Sequence, residues 1–500
     1  MSQNLPELVI LIPLISAFII MAVVWMSRRM CMVVAAAALF GSLVSAIALL
    51  ARVAEEGVVA YQLAGWAPPW GIAYRVDALN GIVLVAVAAV ALVNVLGTRQ
   101  TVEKAFSDRL GAFYALYVLF VTGLLGIVLT GDAFNLYVLV EIAAITGYAL
   151  IGIGDARASL ASLNYIFMGT IGASFYLLGV GYLYLVTGTL NMADMASILP
   201  TLEGSRVVLS AFVIALVGIC IKMGLFPLHA WLPNAYSHAS SPVGNLVAPL
   251  MTKVMVYVMV RVILSIFSPA YAFSVVGLAP AMTWIAVVAI VAGSLLALST
   301  RRLKRMLTFI IVAEVGYMVG GFWLGNRAGM AGAILHIVND AAMTFSIFFA
   351  ASVVLEKVGG ERIDDLQGAF KKMPVSMAVF VLAGLAIIGV PPTCGFFSKW
   401  YLISGGIAAG HWGYVAALLF SSLVNLVLFF RIFEIAYFEP FVDHHGHGSS
   451  NGHDASVVAE APIQVLVPLV ISAVTLVVLG IYSGDIVSKL IDAVLPAGIS

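Results

Sequence analysis

The chain has 500 residues, of which 63% are hydrophobic and only 10% are charged, and its formal net charge is zero. Soluble domains typically carry roughly a quarter charged residues, so this composition excludes a water-soluble fold. A neutral chain without basic patches interleaved with aromatic residues also excludes nucleic acid as a partner. The composition therefore indicates an integral membrane protein surrounded by the lipid bilayer.

Apolar stretches long enough to cross a bilayer recur along the whole chain. A spanning helix needs about 20 mostly apolar residues, and helices satisfy their own backbone hydrogen bonds in lipid. We therefore predict an all-α fold with fourteen transmembrane helices, the first being a retained span and not a cleaved signal. Their predicted bounds are roughly 6–26, 30–51, 77–97, 110–130, 132–153, 160–186, 207–232, 243–267, 274–298, 304–325, 328–355, 374–403, 411–438 and 461–482.

Lys and Arg residues are unevenly distributed between alternate loops. Fifteen lie in or beside the odd-numbered predicted loops, and five lie in or beside the even-numbered ones. Because short cytoplasmic loops are enriched in these residues, we predict that both termini lie on the outer face of the cell's inner (plasma) membrane.

Two segments between the predicted helices have a distinctive composition. Residues 55–77 contain prolines, glycines and aromatic residues, which predicts an extended or hairpin excursion on the outer side. Residues 443–454 contain four histidines among Gly and Ser. We interpret this stretch as a solvated linker before the last helix, because its glycines provide no rigid ligand geometry, and metal binding is the alternative.

Three ionisable residues fall near the centre of their predicted spans. Glu141, Lys253 and His336 each lie about eight to ten residues into a different span, which places them at a similar depth. An ionised side chain at the bilayer centre costs about 2.5–3.5 kcal/mol on insertion scales, and such residues normally mark an ion path. We therefore interpret these three residues as members of an ion pathway.

Two further lysines lie in long predicted spans that contain proline. Lys222 precedes Pro227, whereas Lys399 follows Pro391-Pro392. Proline breaks a helix, and broken helices expose backbone groups at the midplane sites of transporters. We predict a break at each of these prolines and a third break between Gly329 and Asp340, where polar residues interrupt an apolar run.

The five residues Glu141, Lys222, Lys253, His336 and Lys399 together predict a proton relay. Buried Lys and Glu side chains exchange protons near neutral pH when their surroundings change, and histidine already titrates there. A structural ion pair is the alternative interpretation for any single Lys–Glu pair.

Three more residues are secondary candidates for the ion pathway. His229 lies near a helix end and is as consistent with capping or packing as with carrying protons. Glu314 and Asp340 lie within predicted spans, where facing an adjacent subunit is the alternative. Asp77 and Asp132 begin spans, a position that acidic residues favour for structural reasons alone.

Redox chemistry has no sequence signature in this chain. The three cysteines, Cys31, Cys220 and Cys394, share no metal-ligand spacing, and no dinucleotide-binding, haem or iron–sulfur motif is present. We expect no cofactor, no metal site and no electron transfer by this chain.

Five segments carry a more specific pattern of residues. Three are strong: residues 222–233 (KMGLFPLHAWLP), 250–261 around Lys253, and 389–400 (GVPPTCGFFSKW). Two are weaker: 132–151 around Glu141 and 304–320 around Gly316-Tyr317. The pattern resembles the proton-conducting antiporter-like subunits of respiratory complex I, Mrp-type cation/proton antiporters and membrane-bound hydrogenases.

This resemblance implies a domain organisation. It implies a fourteen-helix bundle with N-terminal helices in 1–109, two inverted five-helix repeats in 110–267 and 274–438, a loop in 439–460, and a C-terminal helix and tail in 461–500. The tail beyond the last predicted span is short, so the resemblance is to the shorter members of the family, such as the D-type subunit of Mrp antiporters.

The resemblance also implies roles for the buried residues. Glu141 and Lys222 match the coupling pair of the family, Lys253 and His336 its central relay, and Lys399 the terminal lysine of the second half-channel. The family normally has Asn-His-Ala and then a lysine in the eleventh helix. This chain instead has Asn339-Asp340-Ala341 and then Thr344, which leaves the second half of the relay open.

The function expected from these observations is ion translocation within a larger complex that contains other membrane subunits. The translocated ion is expected to be the proton, with Na⁺/H⁺ antiport as an open alternative. The departure at Asp340 and Thr344 leaves a non-conducting scaffold subunit as a second hypothesis. A stand-alone secondary transporter is the third hypothesis, since broken helices also suit a solute site.

Overall fold

The computed structural model describes residues 4–154, 156–440 and 459–496, and the His-rich stretch 443–454 lies outside these ranges. The described residues form twenty α-helices and one two-stranded sheet. The strands are β1 (Val59–Gln62) and β2 (Ala73–Val76). The helices are α1 (Leu5–Val23), α2 (Arg28–Glu56), α3 (Ala78–Gly97), α4 (Arg99–Ala105), α5 (Leu110–Leu129), α6 (Ala133–Gly152), α7 (Ala156–Thr187), α8 (Met192–Ile198), α9 (Arg206–Met223), α10 (Trp231–His238), α11 (Ser241–Val262), α12 (Ala279–Leu298), α13 (Leu303–Trp323), α14 (Arg327–Val358), α15 (Ala369–Lys372), α16 (Pro374–Ile388), α17 (Cys394–Ala408), α18 (Trp412–Phe438), α19 (Ile463–Ile481) and α20 (Ser483–Ile486).

The predicted all-helical membrane architecture is confirmed. Among the described residues, thirteen helices are long and apolar enough to cross a membrane. The remaining predicted span, 374–403, consists of two 15-residue helices in succession, α16 and α17. Helices α13 and α14 are enclosed by other helices along their whole spanning length, and α11 nearly so. These three helices therefore form the centre of the bundle.

The segment that joins α2 to α3 is a β-hairpin, as its composition predicts. Strands β1 and β2 pair antiparallel, with Val59 opposite Val76 and Gln62 opposite Ala73. Pro68 and Pro69 lie in the connection between the strands, where proline does not interrupt strand pairing.

Both helix breaks predicted at prolines are present. Helix α9 ends at Met223, and the next residue, Gly224, has a left-handed backbone conformation with φ of 73°. Helix α16 ends at Ile388, followed by Gly389 with φ of 95°. Glycine adopts such angles without steric penalty, and the prolines that follow cannot continue a helix. Each break therefore leaves terminal backbone groups inside the bundle.

The third predicted break, between Gly329 and Asp340, is wrong. Helix α14 runs without interruption from Arg327 to Val358. This part of α14 contains no proline, and its polar side chains find partners on other helices: His336 contacts Ser398, and Asp340 contacts Lys253. The helix therefore keeps its backbone hydrogen bonds, because polar side chains alone do not break a helix.

A buried ion pair joins the start of α3 to the end of α11. The two terminal guanidinium nitrogens of Arg261 donate to the two carboxylate oxygens of Asp77, each over 2.7 Å. Asp77 also accepts hydrogen bonds from the backbone N–H groups of Leu79 and Asn80, so it caps α3 as its position predicts. The pair fixes the end of α11 relative to the hairpin.

We predict that Arg261→Met lowers the free energy of unfolding by about 3–5 kcal/mol, because it leaves the largely buried Asp77 carboxylate unpaired. Unfolding of the detergent-solubilised protein measures the effect. Asp77→Asn combined with Arg261→Met should recover part of the loss. Arg301→Met is the control, since its partner Asp364 is exposed and such pairs contribute less than about 1 kcal/mol. Equal losses in Arg261→Met and Arg301→Met would contradict the prediction.

Candidate functional site

The first part of the site is an ion pair between α6 and α9. The Nζ atom of Lys222 lies 3.0 Å from Oε1 of Glu141. Lys222 is almost fully buried two residues before the break at Gly224, whereas Glu141 is half-buried in the middle of α6. The structure therefore brings together the two residues that the family resemblance pairs.

Small residues allow the helix carrying Lys222 to pack closely. A Cβ atom at Gly172 on α7 would lie 3.0 Å from the backbone oxygen of Gly218 and 3.1 Å from Cγ of Lys222. Close approach through glycine is a common way for membrane helices to associate. The stem of Lys222 is consequently packed against α7, and its ammonium group contacts Glu141.

The second part of the site is a fully buried cluster between α11 and α14. The Nζ atom of Lys253 lies 3.1 Å from Oδ2 of Asp340 and donates to Oγ1 of Thr344, also over 3.1 Å. The Thr344 hydroxyl in turn donates to Oδ1 of Asp340 over 2.8 Å. Asp340 therefore faces the interior of this chain and not an adjacent subunit.

His336 connects α14 to α17. Its Nδ1 atom is 2.8 Å from Oγ of Ser398, and its ring centroid lies 5.6 Å from that of Tyr317 on α13. One helical turn further along α14, the side-chain amide of Asn339 donates to the backbone oxygen of Cys394 over 2.8 Å. These contacts fix the position of α17, and with it Lys399, relative to the centre of the bundle.

Lys399 binds to the backbone at the helix break between α16 and α17. Its ammonium group donates to the backbone oxygens of Ile387 and Ile388, over 2.6 and 3.2 Å, and to Oγ of Ser422 over 3.1 Å. Terminal carbonyls of a helix have no partner within that helix, so the end of α16 supplies acceptors for a buried cation. The ammonium also lies 5.3 Å from the ring centroid of Tyr317, a cation–π contact.

The secondary candidates differ in their placement. Glu314, on α13, is fully buried, and its side chain contacts that of Asp340, so it also faces the interior of this chain. His229 lies between α9 and α10, where its ring stacks on that of Phe226 with centroids 5.0 Å apart. Its contacts are those of a packing residue, which is one of the alternatives for this position.

Polar cavities lie at one end of α11. A cavity of about 310 Å³ is lined by residues that include Arg157, Lys304 and Glu361, and an adjacent cavity of about 220 Å³ shares Ser241 and Ser352 with it. From there, Ser352 donates to the side-chain oxygen of Asn245 over 2.8 Å. Asn245 lies eight residues before Lys253 on α11, and Ser352 lies eight residues after Thr344 on α14. Each separation is about two helical turns, and Lys253 and Thr344 are themselves in contact.

Several residues of this region were not predicted from the sequence. They are Tyr317 as a neighbour of Lys399, Ser398 as the partner of His336, and the Asn245–Ser352 contact. Polar residues within apolar runs were the available signal for Asn245 and Ser352. No sequence signal identifies the backbone carbonyls of α16 as the partners of Lys399, because they carry no residue identity.

The structure is that of a multi-pass integral membrane protein with an internal polar site. This class is defined by the many membrane-spanning helices, by the two helix breaks and by the buried ion pairs between helices. The chain belongs to the NADH:quinone oxidoreductase/Mrp antiporter transmembrane family, whose model matches residues 130–425. The resemblance that the sequence motifs carry is therefore confirmed.

Individual relatives cover nearly the whole chain. It is 40% identical to the N subunit of NADH-quinone oxidoreductase of Desulforudis audaxviator (strain MP104C), over 99% of both chains. It is 31% identical to the D-type subunit of the Na(+)/H(+) antiporter of Bacillus subtilis (strain 168), over 87% of both chains. Its structure is similar to a chain of the membrane-bound sulfane sulfur reductase, an archaeal respiratory membrane complex, with a TM-score of 0.87, 28% identity and 98% of both chains covered.

We predict that Gly395→Ala displaces α17, because a Cβ atom there would lie 1.9 Å from the backbone oxygen of Ala386 and 2.8 Å from the sulfur of Met343. Such overpacking typically costs about 1–3 kcal/mol of stability. The buried thiol of the adjacent Cys394 should then react faster with a maleimide, measured with Cys31 and Cys220 replaced by alanine.

Gly181→Ala is the matched control for this variant. Gly181 is also helical, but nothing lies within 4 Å of a Cβ atom there, so the reactivity of Cys394 should not change. A Gly395→Ala protein with unchanged stability and unchanged Cys394 reactivity would show that α17 is not held by this contact.

Proposed function

We propose that this chain is the proton-translocating subunit of a multisubunit membrane complex of the complex I or Mrp type. The observation that carries the proposal is a set of ionisable residues inside the bundle, one on each of five helices and each held by a polar partner: Glu141, which is half-buried, and Lys222, Lys253, His336 and Lys399, which are buried. Buried ionisable groups in membrane proteins are costly and are typical of ion pathways. The names of the relatives support a place in a complex, since both are subunits.

The pathway has a proposed entrance and a proposed exit. Protons enter from the cytoplasmic side through the polar cavities at the start of α11 and pass Asn245 and Ser352 towards Lys253. A third cavity, of about 330 Å³, lies beside the hairpin and is lined in part by Arg75, Asn191 and Arg261 at the opposite end of α11. We assign this cavity to the outer side, in keeping with the distribution of Lys and Arg and with the two proposed inverted repeats.

The Glu141–Lys222 pair is proposed to couple proton movement to the rest of the complex. Opening the pair removes the carboxylate that stabilises the Lys222 ammonium, so the lysine then releases its proton more readily. Closing the pair reverses this preference. Glu141 is half-buried at the surface of α6, where a conformational change in a neighbouring subunit can reach it. Exchange of Na⁺ for protons remains the alternative transport mode.

A non-conducting scaffold is the second candidate function, motivated by Asp340 and Thr344 at positions where the family has other residues. The contacts of both residues with Lys253 favour conduction over this alternative, because they keep an ionisable group connected where the usual lysine is absent. The transport experiment that follows separates the two functions.

We predict that Glu141→Gln and Lys222→Met each reduce proton flux by roughly 100-fold, the scale on which a lost proton-transfer group lowers a rate. The complex is purified through a tag on this chain, reconstituted in proteoliposomes with a pH-sensitive dye and driven by its redox substrate or an imposed sodium gradient. Lys371→Met, which removes an exposed lysine, should transport like the wild type. Wild-type flux in both pathway variants, within intact complexes, would favour the scaffold.

A further inference from the structure

Two carboxyl groups meet in the centre of the bundle. Glu314 on α13 and Asp340 on α14 are both fully buried, and their side chains are in hydrogen-bonding contact. Two carboxylates that share a buried site cannot both be ionised, and a hydrogen bond between them requires a proton on one. The contact therefore implies a bound proton at this position.

The partners of the two groups differ. Asp340 lies 3.1 Å from the Lys253 ammonium and accepts a hydrogen bond from Thr344, which are contacts that an ionised carboxylate needs. Among the ion pairs of the described residues, none reaches Glu314 at this distance. The arrangement places the shared proton on Glu314.

Glu314 also faces the second lysine of this half. Lys399 lies within electrostatic reach of the Glu314 carboxyl. Tyr317, three residues after Glu314 and so on the same face of α13, lies against the Lys399 ammonium. The hydrogen bonds of Lys399 go to neutral oxygens only. Glu314 is therefore the carboxyl group between the Lys253–Asp340 pair and Lys399.

We propose that Glu314 is a further proton carrier of this chain, which shares a proton with Asp340 and links Lys253 to Lys399. This role rests on the proposed function. Glu314 gives its proton to the neutral amine of Lys399, which becomes an ammonium and leaves Glu314 ionised. Lys253 then protonates Asp340, and Asp340 passes that proton to Glu314. One proton moves from Lys253 to Lys399, and both carboxyl groups return to their starting states.

The order of helices supports this role. In the proposed repeats, α13 in the second repeat corresponds to α6 in the first, so Glu314 lies on the counterpart of the helix that carries Glu141. Each half then has one glutamate near one lysine of a broken helix. In the first half, Glu141 and Lys222 are in direct contact at 3.0 Å. In the second half, Tyr317 lies beside Lys399.

The test replaces Glu314 by glutamine in the complete complex, because glutamine fills the same volume and stays neutral but cannot carry a proton. We expect Glu314→Gln to reduce proton flux by roughly 100-fold, with complex assembly and thermal stability unchanged. Glu314→Asp, which restores a carboxyl group, should recover part of the flux. Glu434→Gln, an exposed glutamate on α18, is the control and should transport like the wild type.

A second measurement separates proton sharing from a structural role. Combining Glu314→Gln with Asp340→Asn should reduce flux no more than the stronger single change, and each single change should remove one step from the pH profile of the rate. Multiplicative losses with an unchanged pH profile would overturn the proposal. So would wild-type flux in Glu314→Gln while Glu141→Gln is inactive, a result that leaves the proposed function intact.

Discussion

The structure depends on the constraint that an ionised side chain inside a membrane protein needs a partner, since an unpaired charge in a low-dielectric interior is strongly unfavourable. Each buried lysine of the site meets this requirement differently. Lys222 faces a glutamate, Lys253 faces an aspartate and a threonine, and Lys399 faces backbone carbonyls. Because these partners lie on other helices or beyond a helix break, the same contacts that neutralise the charges also hold α6, α9, α11, α14, α16 and α17 in register.

The two helix breaks differ in how they help a buried lysine to find a partner. The break after α9 comes two residues after Lys222 and lets the chain turn into α10, while the lysine itself is paired with a side chain. The break between α16 and α17 provides the acceptors directly, because the last carbonyls of α16 bind Lys399. A carboxylate partner can change protonation, whereas carbonyls cannot. In the proposed relay, proton release from Lys399 therefore depends on groups further away, and Glu314 is the group proposed for this role.

Much of the fold was predictable because it follows from local rules. Apolar length predicts the spans, and the proline and glycine content of 55–77 predicts the hairpin. Proline within a long apolar span predicts the two breaks. The failed prediction, a break in α14, came from treating His336 and Asp340 as interruptions when they are contacts between helices. Choosing Glu141, Lys222 and Lys253 required only the energetic penalty of buried charge. The partners of these residues were harder to predict from the sequence. Asp340 and Lys253, for example, are 87 residues apart in the chain, and only the packing of α11 against α14 brings them together.

The departure from the family pattern at Asp340 changes the electrostatics of the second half. A cation at this position would repel Lys253 and Lys399, so their protonation would be coupled through like charges. An aspartate instead attracts Lys253, and it places a second carboxyl group beside Glu314. In the proposed relay, proton movement is thereby coupled through opposite charges. A proton that leaves Lys253 neutralises Asp340, and a proton that leaves Glu314 requires Asp340 to be compensated by Lys253. The replacement of one residue therefore need not break the relay. In the proposed relay, the replacement changes the sign of the charge that acts on both Lys253 and Lys399. Thr344 stabilises the negative charge of Asp340 by donating a hydrogen bond, and it carries no charge itself.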